Sequence, residues 1–257
     1  MSGPVLVADD IGHRFGAHTV LAGVRFSLDA ASFCAILGPN GRGKSTLLKI
    51  LAGVLAPAHG RVRCMQRIGW VPQAVQPSLP LSVIEMVLLG RAGQLPMFGA
   101  PSRDDARAAH AALARVEAGA LAGRLFDSLS GGERQLVLMA RALVGGARVL
   151  LLDEPAAALD WHNQAVILRL LSDLTREGLT IVMTTHAPQH ALDFASHVLL
   201  MPQGAPPVFG PPDDVMTDAA LSDLYRVPVR RVAQPGLPRG FTVVPMLAHP
   251  AHPHPSP

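Results

Sequence analysis

Phe33-Cys34-Ala35-Ile36-Leu37-Gly38-Pro39-Asn40-Gly41-Arg42-Gly43-Lys44-Ser45-Thr46 is the stretch whose reading decides the fold. Phe33–Leu37 is a short, wholly apolar run, the pattern of a strand buried on both faces of a sheet. Gly38–Ser45 then fits G-x4-G-K-S/T, and Gly43–Ala52 continues at helical spacing. Strand, glycine loop and helix in that order form the context in which such a loop cradles phosphate. Glycines let the backbone wrap the anion, and the loop N–H groups face it together with the helix N-terminus. Lys44 is placed to reach the β and γ phosphates of a nucleotide, Ser45 to ligate Mg²⁺, and Thr46 to add a hydroxyl to the α-phosphate. Gly38, Pro39, Asn40, Gly41, Arg42 and Gly43 supply the cradle itself.

A second apolar run, Val149–Leu152, ends in Asp153-Glu154-Pro155. A strand in that position delivers both acids to the carboxyl edge of the sheet, where ligands of open α/β sheets bind. Asp153 suits the Mg²⁺ shell, and Glu154 suits accepting a proton from an attacking water. Leu179–Met183 and Val198–Met201 read as further buried strands, and Val5–Val7 and Val20–Leu28 as alternating antiparallel ones. Helices are expected over Ser102–Glu117 with Ser102 as N-cap, over Gly131–Val144, over Trp161–Glu177 stopping at Gly178, and over Pro188–Ala195. The stretch from about Leu81 to Val144 is mostly helical and interrupts the strand–helix alternation, so it reads as an inserted subdomain. Ala233–Pro257 carries seven of the 23 prolines and ends HPAHPHPSP, a composition that resists packing.

Composition narrows the class. The chain has 257 residues, 49% of them hydrophobic and 16% charged, which excludes wholesale disorder and suits one large α/β domain. Its formal charge of +3 is too small to call for a nucleic-acid partner. Its two cysteines, Cys34 and Cys64, form no metal-binding pattern, and a reducing compartment is their simplest home. The N-terminus lacks the charged and apolar regions of a secretory signal, and no run is long and apolar enough to span a bilayer.

Leu129-Ser130-Gly131-Gly132-Glu133-Arg134-Gln135 narrows the reading to one family. Ser130 can cap the helix that follows, and the two glycines leave its first N–H groups open to an anion. LSGGERQ resembles the signature of ATP-binding cassette (ABC) ATPases, and the resemblance extends over roughly residues 4–232. It implies a RecA-like P-loop core with an N-terminal antiparallel β subdomain and an inserted helical subdomain. The implied division is a single domain over 1–235, with 1–80 and 145–232 as the β and RecA-like core and 81–144 helical. Residues 236–257 are then a Pro/His-rich tail expected to be disordered.

The same resemblance gives roles to further residues. Phe15 corresponds to the aromatic that stacks on adenine, and Gln73 to the glutamine that senses Mg²⁺ and the membrane partner. Ser130, Gly131 and Gly132 correspond to residues that meet the nucleotide of a second copy, arranged head to tail. Asp160 falls at the seam of that dimer, and His186 corresponds to the switch histidine at the γ-phosphate. Asp153–Asp160 reads DEPAAALD where the family more often has DEPTSALD, which removes two hydroxyls that do not carry the chemistry. The cofactors implied are ATP and Mg²⁺. The partners implied are transmembrane permease subunits, a second copy of the chain and, indirectly, an extracytoplasmic binding protein, with no nucleic acid. The place implied is the cytoplasmic face of the membrane.

VLLGRAG, WHNQ after Asp160, MTTHAPQHAL and LYRVPV resemble importers of metal chelates such as ferric siderophores, haem or cobalamin. The short link from Gly60 to Gln73 and the late FTVVP resemble the molybdate/tungstate branch of that group. An exporter ATPase shares the same chemistry and stays open. A soluble ABC ATPase of translation or repair would carry a second cassette, a coiled coil or zinc fingers, none of which the sequence holds. LSGGERQ and His186 argue against a P-loop kinase or GTPase.

Overall fold

The computed structural model describes residues 3–73, 80–94 and 100–247. The chain opens with β1 (Leu6–Phe15) and β2 (His18–Leu28), then β3 (Phe33–Leu37), α1 (Lys44–Leu51), β4 (His59–Cys64) and β5 (Ile68–Val71). The helical insertion follows with α2 (Val83–Leu88), α3 (Arg103–Arg115) and α4 (Gly131–Leu143). The chain re-enters the core through β6 (Val149–Leu152), α5 (Trp161–Arg176), β7 (Thr180–Thr185), α6 (Pro188–Phe194), β8 (His197–Leu200) and β9 (Val208–Gly210). It closes with α7 (Pro212–Val215), α8 (Asp218–Tyr225), β10 (Val229–Ala233) and β11 (Phe241–Pro245).

Among the described residues the central sheet runs β5-β6-β7-β3-β8-β9. Its first five strands pair in parallel and β9 runs antiparallel to β8. Both faces are covered, so alternate residues of each strand enter different cores. Phe33, Ala35, Leu37, Leu150 and Leu152 pack with the helical insertion, α5 and α6. Cys34, Ile36, Val149 and Leu151 pack with α1 and the antiparallel sheet β2-β1-β4. Burial on both faces explains why these strands read as unbroken apolar runs.

The helices begin where their caps predict. Ser102 and Ser130 each accept from the backbone N–H three residues on, and Asp105 and Glu133 reach back to complete capping boxes. The same reciprocal bonds hold the carboxyls of Asp105 and Glu133 below the ordinary range, led by the Ser102 hydroxyl and the Ser130 N–H respectively. Gly178 ends α5 with φ at 97°, a conformation that favours glycine.

Two elements correct the sequence reading. β1 continues to Phe15 instead of stopping near Val7, because register shifts carry the strand past Asp9 and Asp10 where alternation breaks. The expectation of an unpacked tail from residue 236 fails as far as Pro245. Phe241–Pro245 pairs antiparallel with Val229–Ala233, and Arg239 donates to the carbonyls of Leu192 and Ala195 and pairs with Asp213. The β-branched run in FTVVP and this anchored arginine outweigh the proline content. Residues 248–257 of that tail lie outside the described residues.

Candidate active site

The chemically equipped residues gather at the carboxyl ends of the parallel strands. The phosphate loop leaves β3, Gln73 follows β5, Asp153 and Glu154 follow β6, and His186 follows β7. Such an edge is where open α/β sheets bind ligands. A cleft of ≈ 540 Å³ opens there, lined by Phe15, the Asn40–Thr46 loop, Gln73 and Glu154 among others. Phe15 ends β1, packs T-shaped against His13, and stands 55% exposed on the wall of the cleft, where an aromatic ring can meet a planar ligand.

The loop is set by sterics. Gly43 has φ at 85°, and a Cβ there would lie 2.6 Å from Val20 Cγ1 and 3.0 Å from the Val20 carbonyl. At Gly38 an added Cβ would lie 2.9 Å from the Met201 carbonyl. Arg42 ties the loop down from outside, donating through Nε to the Pro202 carbonyl at 2.6 Å and through Nη1 to the Val20 carbonyl at 3.2 Å. Lys44 is buried, with its Nζ donating to the Gly38 carbonyl at 2.8 Å and the Pro39 carbonyl at 3.3 Å.

Glu154 is the hub of the charge arrangement. Its Oε1 lies 3.8 Å from Lys44 Nζ, and its Oε2 lies 3.6 Å from His186 Nδ1. Its φ is 49°, an uncommon region for a residue with a side chain and one that clusters at functional sites. Asp153 is buried beside it and accepts from the Thr184 hydroxyl at 2.7 Å, while Thr184 accepts from the Glu154 N–H at 2.8 Å. The Tyr225 hydroxyl donates to the His186 carbonyl at 3.2 Å, so α8 steadies the histidine's backbone.

Ser130, Gly131, Gly132 and Asp160 do not line the phosphate cleft. Gly131 and Gly132 instead face the residues around Asp160: a Cβ on Gly131 would lie 3.3 Å from Leu159 Cδ2. Asp160 caps α5 by accepting from the Asn163 N–H and side-chain amide, which holds its carboxyl below the ordinary range. A Cβ on Gly132 would lie 2.5 Å from Asn163 Oδ1, so α4 and α5 begin in close approach. Sequence reasoning missed Thr184, Asn163 and Tyr225. Only the hydroxyl of Thr184, in the strand before His186, offered a signal.

Hard oxygen donors suit Mg²⁺. Ser45 at the start of α1, Gln73 and Asp153 are of that kind and stand at one edge of the sheet. Gly38 and Gly43 let the loop pack tightly against Met201, Val20 and Leu21 behind it, and the cleft in front of the Asn40–Thr46 stretch offers the space for the phosphates such an ion accompanies.

Residues 21–157, more than half of the chain, match the ABC transporter family. The molybdate import ATP-binding protein MolC of Haemophilus influenzae is 38% identical over 226 residues, covering 87% of this chain and 89% of that one. The hemin import ATP-binding protein HmuV of Thermobifida fusca is 37% identical over 244 residues, covering 90% and 85%. Among solved structures, a metal-chelate type ABC transporter in an inward-facing conformation superposes with a TM-score of 0.87 at 35% identity, covering 95% of this chain and 98% of that one. A RecA-like P-loop core, an N-terminal β subdomain and an inserted helical subdomain are the family's fold, and binding and hydrolysing ATP is the family's activity. The chain belongs to the ABC transporter family, among its ATP-binding subunits.

Proposed function

We propose that this chain is the ATP-hydrolysing subunit of an importer for a metal chelate or a related cargo such as molybdate. The convergence of Lys44, His186 and Glu154 at one end of the phosphate cleft carries this reading. Phe15 stacks on adenine, and the Gly38–Gly43 backbone receives the phosphates. Lys44 sets its positive charge against the β and γ phosphates, where charge stabilisation supplies most of phosphoryl-transfer catalysis. Ser45, Gln73 and Asp153 would hold Mg²⁺, which when bound neutralises phosphate charge. Glu154 takes one proton from the attacking water, and His186 orients that water and the γ-phosphate; ADP and inorganic phosphate leave.

Two chains act head to tail, with Ser130–Gly132 of one closing over the nucleotide of the other. The separation of Ser130 and Asp160 from their own chain's cleft supports that arrangement. Among the described residues no helix is long and apolar enough to cross a membrane. In this reading the chain is peripheral to the cytoplasmic face, held by permease subunits that its helical insertion moves, with the stretch near Gln73–Leu89, of which 74–79 lie outside the described residues, as the contact. Similarity to both a hemin and a molybdate import protein supports an import role and leaves a choice of cargo. The test is reconstitution with a metal-chelate type permease and its cognate binding protein. Binding protein loaded with hemin, a ferric siderophore, cobalamin or molybdate should raise ATP turnover several-fold for one of these. Turnover indifferent to every loaded binding protein would refute the import role.

A further inference from the structure

We propose that Thr184 is a positioning residue for hydrolysis, one hydroxyl that sets both acids of the site. This rests on the roles given above to Asp153 and Glu154. Leu152 of β6 pairs with Met183 of β7 in parallel register, so Thr184 stands level with the two acids just beyond the strand. Thr184 is fully buried. The direction of both bonds is fixed by chemistry. The Glu154 N–H can only donate, so Thr184 Oγ1 accepts it at 2.8 Å. The hydroxyl proton is then free for the Asp153 carboxylate, whose Oδ1 lies at 2.7 Å.

Each bond has a separate consequence. The bond to Asp153 fixes the rotation of the carboxylate that faces the metal, as outer partners of metal ligands commonly do. The bond from Glu154 N–H holds that residue at φ 49°, where its carboxylate reaches Lys44 and His186. Without the hydroxyl, the half-buried N–H loses its partner and Glu154 is released toward ordinary negative φ. Thr185, one residue on, acts elsewhere. Its hydroxyl accepts from the Ala187 N–H at 3.1 Å and shapes the turn that carries His186.

The test compares Thr184→Val, which keeps the shape and removes the hydroxyl, with Thr184→Ser, which keeps the hydroxyl and removes the methyl. Steady-state turnover is measured against ATP and, separately, against Mg²⁺. Binding of a fluorescent ADP in EDTA reports the intact phosphate loop. Thr184→Val should lower kcat about tenfold or more, as expected for a lost hydrogen bond to a charged group. It should also raise the Mg²⁺ needed for half-maximal rate several-fold, with metal-free ADP affinity within about twofold of wild type. Thr184→Ser should restore both. Should the valine variant precipitate, Thr184→Ala replaces it in the same comparison. Normal kcat and Mg²⁺ dependence without the hydroxyl overturns the proposal, as does a serine variant no better than valine, which would mark a packing role. Glu154→Gln is run in parallel: normal turnover there would show that the underlying assignment of Glu154 has failed, independently of Thr184.

Discussion

Gly43→Ala puts a methyl group where the phosphate loop has no room for one. Gly43 lies at φ 85°, and the added Cβ would sit 2.6 Å from Val20 Cγ1, 2.9 Å from Leu21 Cδ2 and 3.0 Å from the Val20 carbonyl. The left-handed conformation costs an alanine about 1–2 kcal/mol. Overpacking adds about 1–3 kcal/mol, and the reduced freedom of the unfolded chain returns about 0.4–1 kcal/mol. The net loss is about 1–4.5 kcal/mol, or a fall in Tm of roughly 2–18 °C for a domain of this size. Thermal unfolding with and without Mg-ADP measures it. Nucleotide should stabilise the variant much less than wild type, because relief of the clash moves the loop off its phosphates. Val20→Ala in the same chain removes one of the crowding carbons, so the double variant should lose less than the two single losses added together. A Gly43→Ala chain with an unchanged Tm and an unchanged response to Mg-ADP would refute the steric account of the loop.

The other expectations concern titration, reactivity and assembly. Burial of Cys34 pushes its thiol up to about 12, against a lesser opposing hydrogen bond with the Leu199 backbone, so at pH 8 it should resist alkylation while the partly exposed Cys64 reacts; rapid modification of Cys34 in the native chain would contradict this, as read by peptide mapping. His190 is held below the ordinary histidine range, first by burial and then by His186, with Asp193 opposing. The unfolded chain therefore takes up this proton more readily, and stability should fall as pH drops through about 6.5 and below; His190→Asn should flatten the acid side of a Tm–pH curve. Ser130→Arg mixed with Lys44→Ala should give heterodimers with one intact composite site and recovered ATP-driven closure, because both defects fall on the other site; crosslinking that placed Ser130 beside its own chain's Lys44 would reject the head-to-tail arrangement.

The central machinery was legible because it sits on elements whose sequence pattern and structural role coincide. Phe33–Leu37 and Val149–Leu152 are strands over the bounds the apolar runs suggest, since burial on both faces leaves no polar position to blur them. The caps at Ser102 and Ser130 were legible for the same local reason. β4 was not, because His59–Cys64 is a polar edge strand specified by its pairing with β1 and not by an apolar face. β5 was hidden by its length and by Gly69, which lets the strand approach the backbone of α4 at Ala142. β11 was obscured by neighbouring prolines. Thr184 and Arg42 act through side-chain bonds to residues 30 and 160 positions away, and no local pattern encodes such a pairing.

The most direct test of the account is Glu154→Gln, followed by size-exclusion chromatography with light scattering beside a phosphate-release assay. The amide keeps the size and hydrogen-bonding reach of Glu154 but cannot take a proton, while Lys44, Ser45 and Asp153 remain to bind Mg-ATP. The account predicts turnover reduced by about 10²-fold or more, with a stable dimer in Mg-ATP and a monomer in ADP. Near-normal phosphate release from Glu154→Gln would contradict its catalytic role. Lost turnover with a monomer in Mg-ATP would contradict closure of two chains around shared nucleotides.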